Sequence, residues 1–159
     1  MPYLIFLSLF LSSSFLLAQL QPLPEAGGKL LLQGDSLFYI APKASYLYQA
    51  GQFIALNKAP KAPKKKPSLA WGAQERYILD QSQNFRAGYW AKDLDQSEAL
   101  LEQKKAESWQ SFRLFLPPYE DAYIYSLIEK EEQLYLCLYL DEQHFLQLIA
   151  VEPPPPSLK

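Results

Sequence analysis

The chain has 159 residues, 49% of them apolar, and a formal net charge of −2, enough for one domain with a buried core. One Cys, one His and six glycines exclude an internal disulfide framework, a zinc site built from Cys and His alone, and the glycine-rich phosphate loops. No cofactor is expected from this inventory.

No charged side chain occurs before Glu25. Tyr3 to Ala18 reads YLIFLSLFLSSSFLLA, shorter than the roughly 20 residues of a bilayer span and followed by a polar, Pro-containing stretch, which is the profile of an export signal. We expect cleavage after Ala18, making 1–18 a signal peptide and the mature protein secreted or periplasmic. The n-region has no Lys or Arg and Leu16 stands where a small residue is usual, so a retained N-terminal membrane anchor is the alternative. After a polar lead (19–28), a single β-rich domain is expected over 29–152, with a Pro-rich tail at 153–159.

Two short segments then share one design, an apolar run, a Gly-containing dipeptide and a second apolar run. Leu30 to Gln33, Gly34-Asp35 and Ser36 to Ile40 form the first; Tyr46 to Gln49, Ala50-Gly51 and Gln52 to Leu56 form the second. Gly at a two-residue loop supplies the positive φ that tight hairpins need, so both read as β-hairpins. Lys58 to Ser68, KAPKAPKKKPS, holds five of the 15 cationic side chains and three prolines, and reads as an extended, solvated loop. Gln19 to Ser68 carries 7 cations and 2 anions, whereas Leu69 to Lys159 carries 8 and 15, so the small net charge conceals a polar molecule.

Glu75 to Asp80 and Phe85 to Ala91 read as strands loaded with Tyr77, Tyr89 and Trp90. The spacing from Asp95 to Trp109 predicts a surface helix, with Asp95 as cap, Glu98 at the capping-box position, and an inward line of Leu94, Leu101 and Trp109. Phe112, Leu114 and Leu116 alternate as an edge strand before Pro117-Pro118. Ala122 to Ile128, Leu134 to Leu140 and His144 to Val151 are apolar runs separated by acidic turns, and predict a three-stranded antiparallel meander apolar on both faces. The runs use Leu and Tyr, with no Thr and one Val in the whole chain, so a helical last third is the rival. The expected fold class is α+β, mainly antiparallel β-sheet with one surface helix. Cys137, inside LYLCLYL, reads as a small core hydrophobe.

Catalytic motifs are lacking. His144 has Asp141 three residues before it, but no serine stands in a G-x-S-x-G elbow. The pairs Asp93 with Asp95, Glu120 with Asp121, and Glu131 with Glu132 read as turns or caps, and the Asp93 loop has no Gly for calcium. Ten of the 11 tyrosines lie beyond the leader. Tyr46 with Tyr48, and Tyr123 with Tyr125, share strand parity and form rows suited either to a sugar or peptide surface or to a core. Lys61, Lys64, Lys65 and Lys66 offer a polyanion arm. The function expected is a non-enzymatic binding or envelope-accessory protein; the alternative is a small carboxylate-dependent hydrolase of envelope or glycan material. Partners would be an anionic glycan, an envelope component or a protein, not nucleic acid, and a membrane only if the leader is retained.

Overall fold

A computed structural model describes residues 20–61, 70–71, 76–93 and 96–151. The expected signal peptide, Lys64 to Lys66 and the Pro-rich tail lie outside these residues. All regular structure among the described residues is antiparallel β-strand, in three sheets. The central sheet has the order β1 (Leu20–Pro22), β13 (Gln143–Ala150), β12 (Gln133–Leu140), β11 (Ala122–Lys130). An N-terminal sheet runs β2 (Lys29–Gln33), β3 (Ser36–Ile40), β4 (Ser45–Gln49), β5 (Gln52–Leu56). A five-stranded sheet runs β10 (Ser108–Phe112), β9 (Gln96–Lys105), β8 (Phe85–Asp93), β7 (Arg76–Gln81), β6 (Ala70–Trp71).

The period-2 alternation of β12 places the central sheet between the other two. Leu134, Leu136, Leu138 and Leu140 point to one side and pack with Phe85, Ala87 and Leu101 of the five-stranded sheet. Tyr135 and Cys137 point to the other, where Cys137 and Leu146 pack with Leu30, Leu37 and Tyr39 of the N-terminal sheet. A strand buried on both faces has to be a continuous apolar run, which is what LYLCLYL is. The meander is therefore found as expected, the helical rival for 124–151 is excluded, and Cys137 is fully buried.

Both N-terminal hairpins form at the expected dipeptides, with positive φ at Gly34, Ala50 and Gly51. The acidic turns Glu131-Glu132 and Asp141-Glu142 also have positive φ at both residues, the mirror-image geometry that suits the strand twist although no glycine marks it. In the second, the Asp141 carboxylate accepts the backbone N–H groups of Glu120 and Asp121.

The three sheets meet at Ser126. A bulge in β11 leaves Tyr125 out of register with β12. Next to it, the buried Ser126 hydroxyl accepts the Leu30 N–H from the N-terminal sheet at 3.0 Å. It donates to Asp80 of the five-stranded sheet, whose carboxylate also accepts the Leu127 N–H at 2.9 Å.

Three expectations need correction. The helix over 95–109 is instead strand β9, a turn at Ala106-Glu107 and strand β10; Leu94 and Asp95 lie outside the described residues. Leu101 faces the first core, while Leu100 and Glu102, also buried, face the opposite side of the sheet. Consecutive burial of Leu100, Leu101 and Glu102 needs apolar or paired surroundings on two sides, and that tertiary setting outweighs the helix propensity of Glu, Ala, Leu, Gln and Lys. The fold class is accordingly all-β among the described residues, without the surface helix. Of the edge strand expected over Phe112, Leu114 and Leu116, only Phe112 is strand, as the last residue of β10, and Leu114 and Leu116 pack on the first core from an irregular segment. The lead over 19–28 contributes β1, paired with Phe145 to Gln147, and the Glu25 carbonyl accepts the buried Tyr39 hydroxyl at 2.6 Å.

On the outer face of the five-stranded sheet, Glu102 lies buried between two arginines. Arg76 Nη1 meets its Oε1 at 2.9 Å and Arg86 Nε bonds its Oε2. Arg76 lies over the Trp90 ring and Arg86 over the Trp109 ring, 4.4 Å from its centroid. This Trp–Arg–Glu–Arg–Trp line closes the face by cation–π and ionic contacts.

Candidate binding surface

Register aligns aromatic side chains across two sheets. In the five-stranded sheet Tyr77 on β7 stands opposite Tyr89 on β8, and their rings stack 4.8 Å apart. In the central sheet Tyr123 on β11 stands opposite Tyr139 on β12, stacked at 4.5 Å, and Tyr139 stands opposite His144 on β13, edge to face at 5.4 Å. The two rows join where Tyr89 meets Tyr123, ring centroids 6.2 Å apart. Adjacent strands are about 4.8 Å apart, and directly opposed aromatic pairs are a main source of cross-strand stabilisation, so the pairing that builds the sheets also builds this ribbon.

Tyr77 is 43% exposed, and Tyr89, Tyr123, Tyr139 and His144 are half-buried. Their hydroxyls separate them from the tyrosines of the second core. Tyr39 bonds Gly28 N and the Glu25 carbonyl, Tyr48 donates to Gln21, and Tyr135 donates to Gln133. Tyr125 stands at the β11 bulge with its hydroxyl 3.1 Å from His144 Nδ1. Among the described residues, the hydroxyls of Tyr77, Tyr89, Tyr123 and Tyr139 make no hydrogen bond and none is buried without a partner. They face solvent.

Burial, the neighbouring tyrosines and the carboxylate of Asp121 raise the Tyr89 and Tyr123 hydroxyls above the usual phenol range, so both stay neutral and able to donate. Asp121 is held beside the ribbon by the Ser97 hydroxyl. Desolvation holds His144 below the usual imidazole range, which leaves the ring neutral, with Nδ1 hydrogen-bonded to the Tyr125 hydroxyl.

The residues singled out in the sequence divide among different settings. Tyr123 is in the ribbon and Tyr125 beneath it, 6.0 Å from Tyr123. Tyr46 and Tyr48 pack beside the second core against Phe53, at 6.4 and 5.0 Å. Tyr48 also lines an open groove of about 570 Å3 with Tyr135 and Lys130. Lys61 is exposed; Lys64, Lys65 and Lys66 lie outside the described residues. Sequence reading did not join Tyr77, Tyr89 and Tyr139 to Tyr123, because only strand register puts residues so far apart in the chain side by side.

Carboxylates gather elsewhere. Glu129, Glu131 and Glu132 line a cleft of about 310 Å3 with Lys104 and Asn84. Glu129 is already the acceptor for the Ser82 hydroxyl and the Asn84 amide. Among the described residues, no three of His, Cys, Asp and Glu are grouped to hold a metal ion. In comparisons with known proteins, no family model, no curated protein and no solved structure matches this chain.

Proposed function

We propose that this protein is an exported, non-enzymatic binding or envelope-accessory protein, and that the tyrosine ribbon is its ligand-contacting face. The observation that carries the reading is the row of four phenol hydroxyls that make no hydrogen bond among the described residues, on half-buried or exposed rings stacked in pairs across strands. Such side chains present apolar surface and a hydrogen-bonding tip at small conformational cost. The apolar leader from Tyr3 to Ala18 supports export.

The test has two parts. The protein recovered from the host should begin at Gln19 in a soluble exported fraction. The mature chain should co-sediment with isolated envelope sacculi, and a folded Tyr77→Ala, Tyr139→Ala variant should lose that retention. Recovery of an intact Met1 species in the cytosol, or equal retention of the variant, would overturn the reading.

A second reading, a carboxylate-dependent hydrolase, is favoured only by the lining of the smaller cleft by Glu129, Glu131 and Glu132. Glu131→Gln with Glu132→Gln should then abolish release of reducing ends from envelope glycans. The polyanion role of Lys61, Lys64, Lys65 and Lys66 is a separate proposal, tested by changing all four to Ser and measuring retention on anionic resin.

A further inference from the structure

The ribbon has a chemistry more specific than its apolar area. Its rings stack on one another, so those inner faces are occupied, and the ribbon offers a ligand ring edges and hydroxyls. With strands about 4.8 Å apart, a row running from Tyr77 through Tyr89, Tyr123 and Tyr139 to His144 is long enough for a short oligosaccharide. Each phenol hydroxyl both donates and accepts, and so does each sugar hydroxyl.

Carboxylates flank the ribbon. Asp121 lies two residues before Tyr123 and is bonded to the Ser97 hydroxyl on β9, the strand that pairs with Tyr89 of β8. The turn that follows Tyr139 is Asp141-Glu142, with Asp141 bonded to the backbone of Glu120 and Asp121. The cations on these strands are already engaged: Lys92 is paired with Glu98 at 2.7 Å, and Arg76 and Arg86 are paired with Glu102. A carboxylated or sulfated chain laid along the row would meet like charge, which costs affinity, whereas an amine would gain.

Resting on the binding reading above, we propose that the ribbon takes a hydroxyl-rich glycan chain that is neutral or amine-bearing, and rejects acidic chains. Tyr77, Tyr123 and Tyr139 supply hydrogen bonds to it and Asp121 sets the charge preference.

The experiment is titration calorimetry at low salt on the mature chain with three probes, cellohexaose, a chitosan hexamer and hexagalacturonate. Wild type should bind one or both of the first two at least roughly tenfold more tightly than the third. The Tyr77→Phe, Tyr123→Phe, Tyr139→Phe variant keeps the stacked rings and should lose roughly tenfold or more in affinity. Asp121→Asn keeps an acceptor for Ser97 and should weaken the amine-bearing hexamer while narrowing the gap to the acidic one.

Ribbon-dependent binding of hexagalacturonate as tight as that of the other hexamers overturns the proposal, and so does a triple Phe variant that binds like wild type. If no hexamer binds while Tyr77→Ala, Tyr139→Ala still abolishes retention on envelope sacculi, the glycan assignment falls and the binding reading stands. If retention is also insensitive, both fall.

Discussion

Replacing Ser126 by Ala tests the junction of the three sheets with almost no change in volume. The serine is 1% exposed, and its hydroxyl is the acceptor for the Leu30 N–H at 3.0 Å. Alanine leaves that buried donor unpaired, at a cost of about 1–3 kcal/mol. Loss of the longer contact to Asp80, at 3.4 Å, adds little, since Asp80 keeps the Leu127 N–H at 2.9 Å. The sum is about 2 kcal/mol, which for a chain of this size lowers Tm by roughly 4–8 °C. Urea and thermal unfolding followed by circular dichroism measure it, with Ser111→Ala on the exposed face of β10 as a control expected within about 0.5 kcal/mol of wild type. Hydrogen exchange gives a local readout, because the Leu30 amide should lose protection more than the Cys137 amide. A Ser126→Ala protein as stable as the control, with Leu30 protected as before, would refute the claim that this hydroxyl ties the N-terminal sheet to the core.

Other substitutions and conditions have equally defined outcomes. A Cβ on Gly88 would lie 1.8 Å from the Tyr77 carbonyl oxygen, backbone against backbone at the β7 bulge, so Gly88→Ala should cost more than about 3 kcal/mol or prevent folding, measured by expression and urea midpoint. Glu132 has φ of 60°, and Glu132→Gly should raise stability by roughly 1 kcal/mol by removing the penalty of a left-handed non-glycine residue, visible as a higher urea midpoint. Cys137 is fully buried and its thiol is pushed far above the usual range by burial, then by the charge of Asp80, so a thiol reagent should label it only on unfolding; rapid labelling of native protein would contradict the packing. His144 is held neutral by desolvation, so the unfolded chain takes up its proton first as pH falls. The stability due to this lowered affinity is intact above about pH 6.5, the unfolded value, and declines as pH drops below it toward the folded pKa. His144→Gln should flatten that part of the unfolding profile between pH 7 and 5.5.

Much of the fold was legible because it is written in local signals. A glycine in a dipeptide between apolar runs locates two N-terminal hairpins, and LYLCLYL, apolar at every position, declares a strand covered on both faces. The misread helix shows where local signals stop. Glu98 to Lys105 has the composition of a helix, and no neighbour in sequence announces that Arg76 and Arg86 will arrive to bury Glu102. Nor does the composition of Leu20 to Pro22 reveal that β13 will leave an edge for it to pair with.

The ribbon divides the same way. That this protein would carry many tyrosines on strands, at alternating positions, was determined by the order of its residues alone. Which of them became core and which surface was decided only by tertiary structure. Tyr39 and Tyr125 were taken into the second core because the N-terminal sheet covers their side of the central sheet, whereas Tyr77, Tyr89, Tyr123 and Tyr139 were brought into one row by register across two sheets. Side-chain parity is a property of one strand, but adjacency between strands depends on the pairing of segments far apart in the chain, and that pairing is selected by the burial of both faces at once.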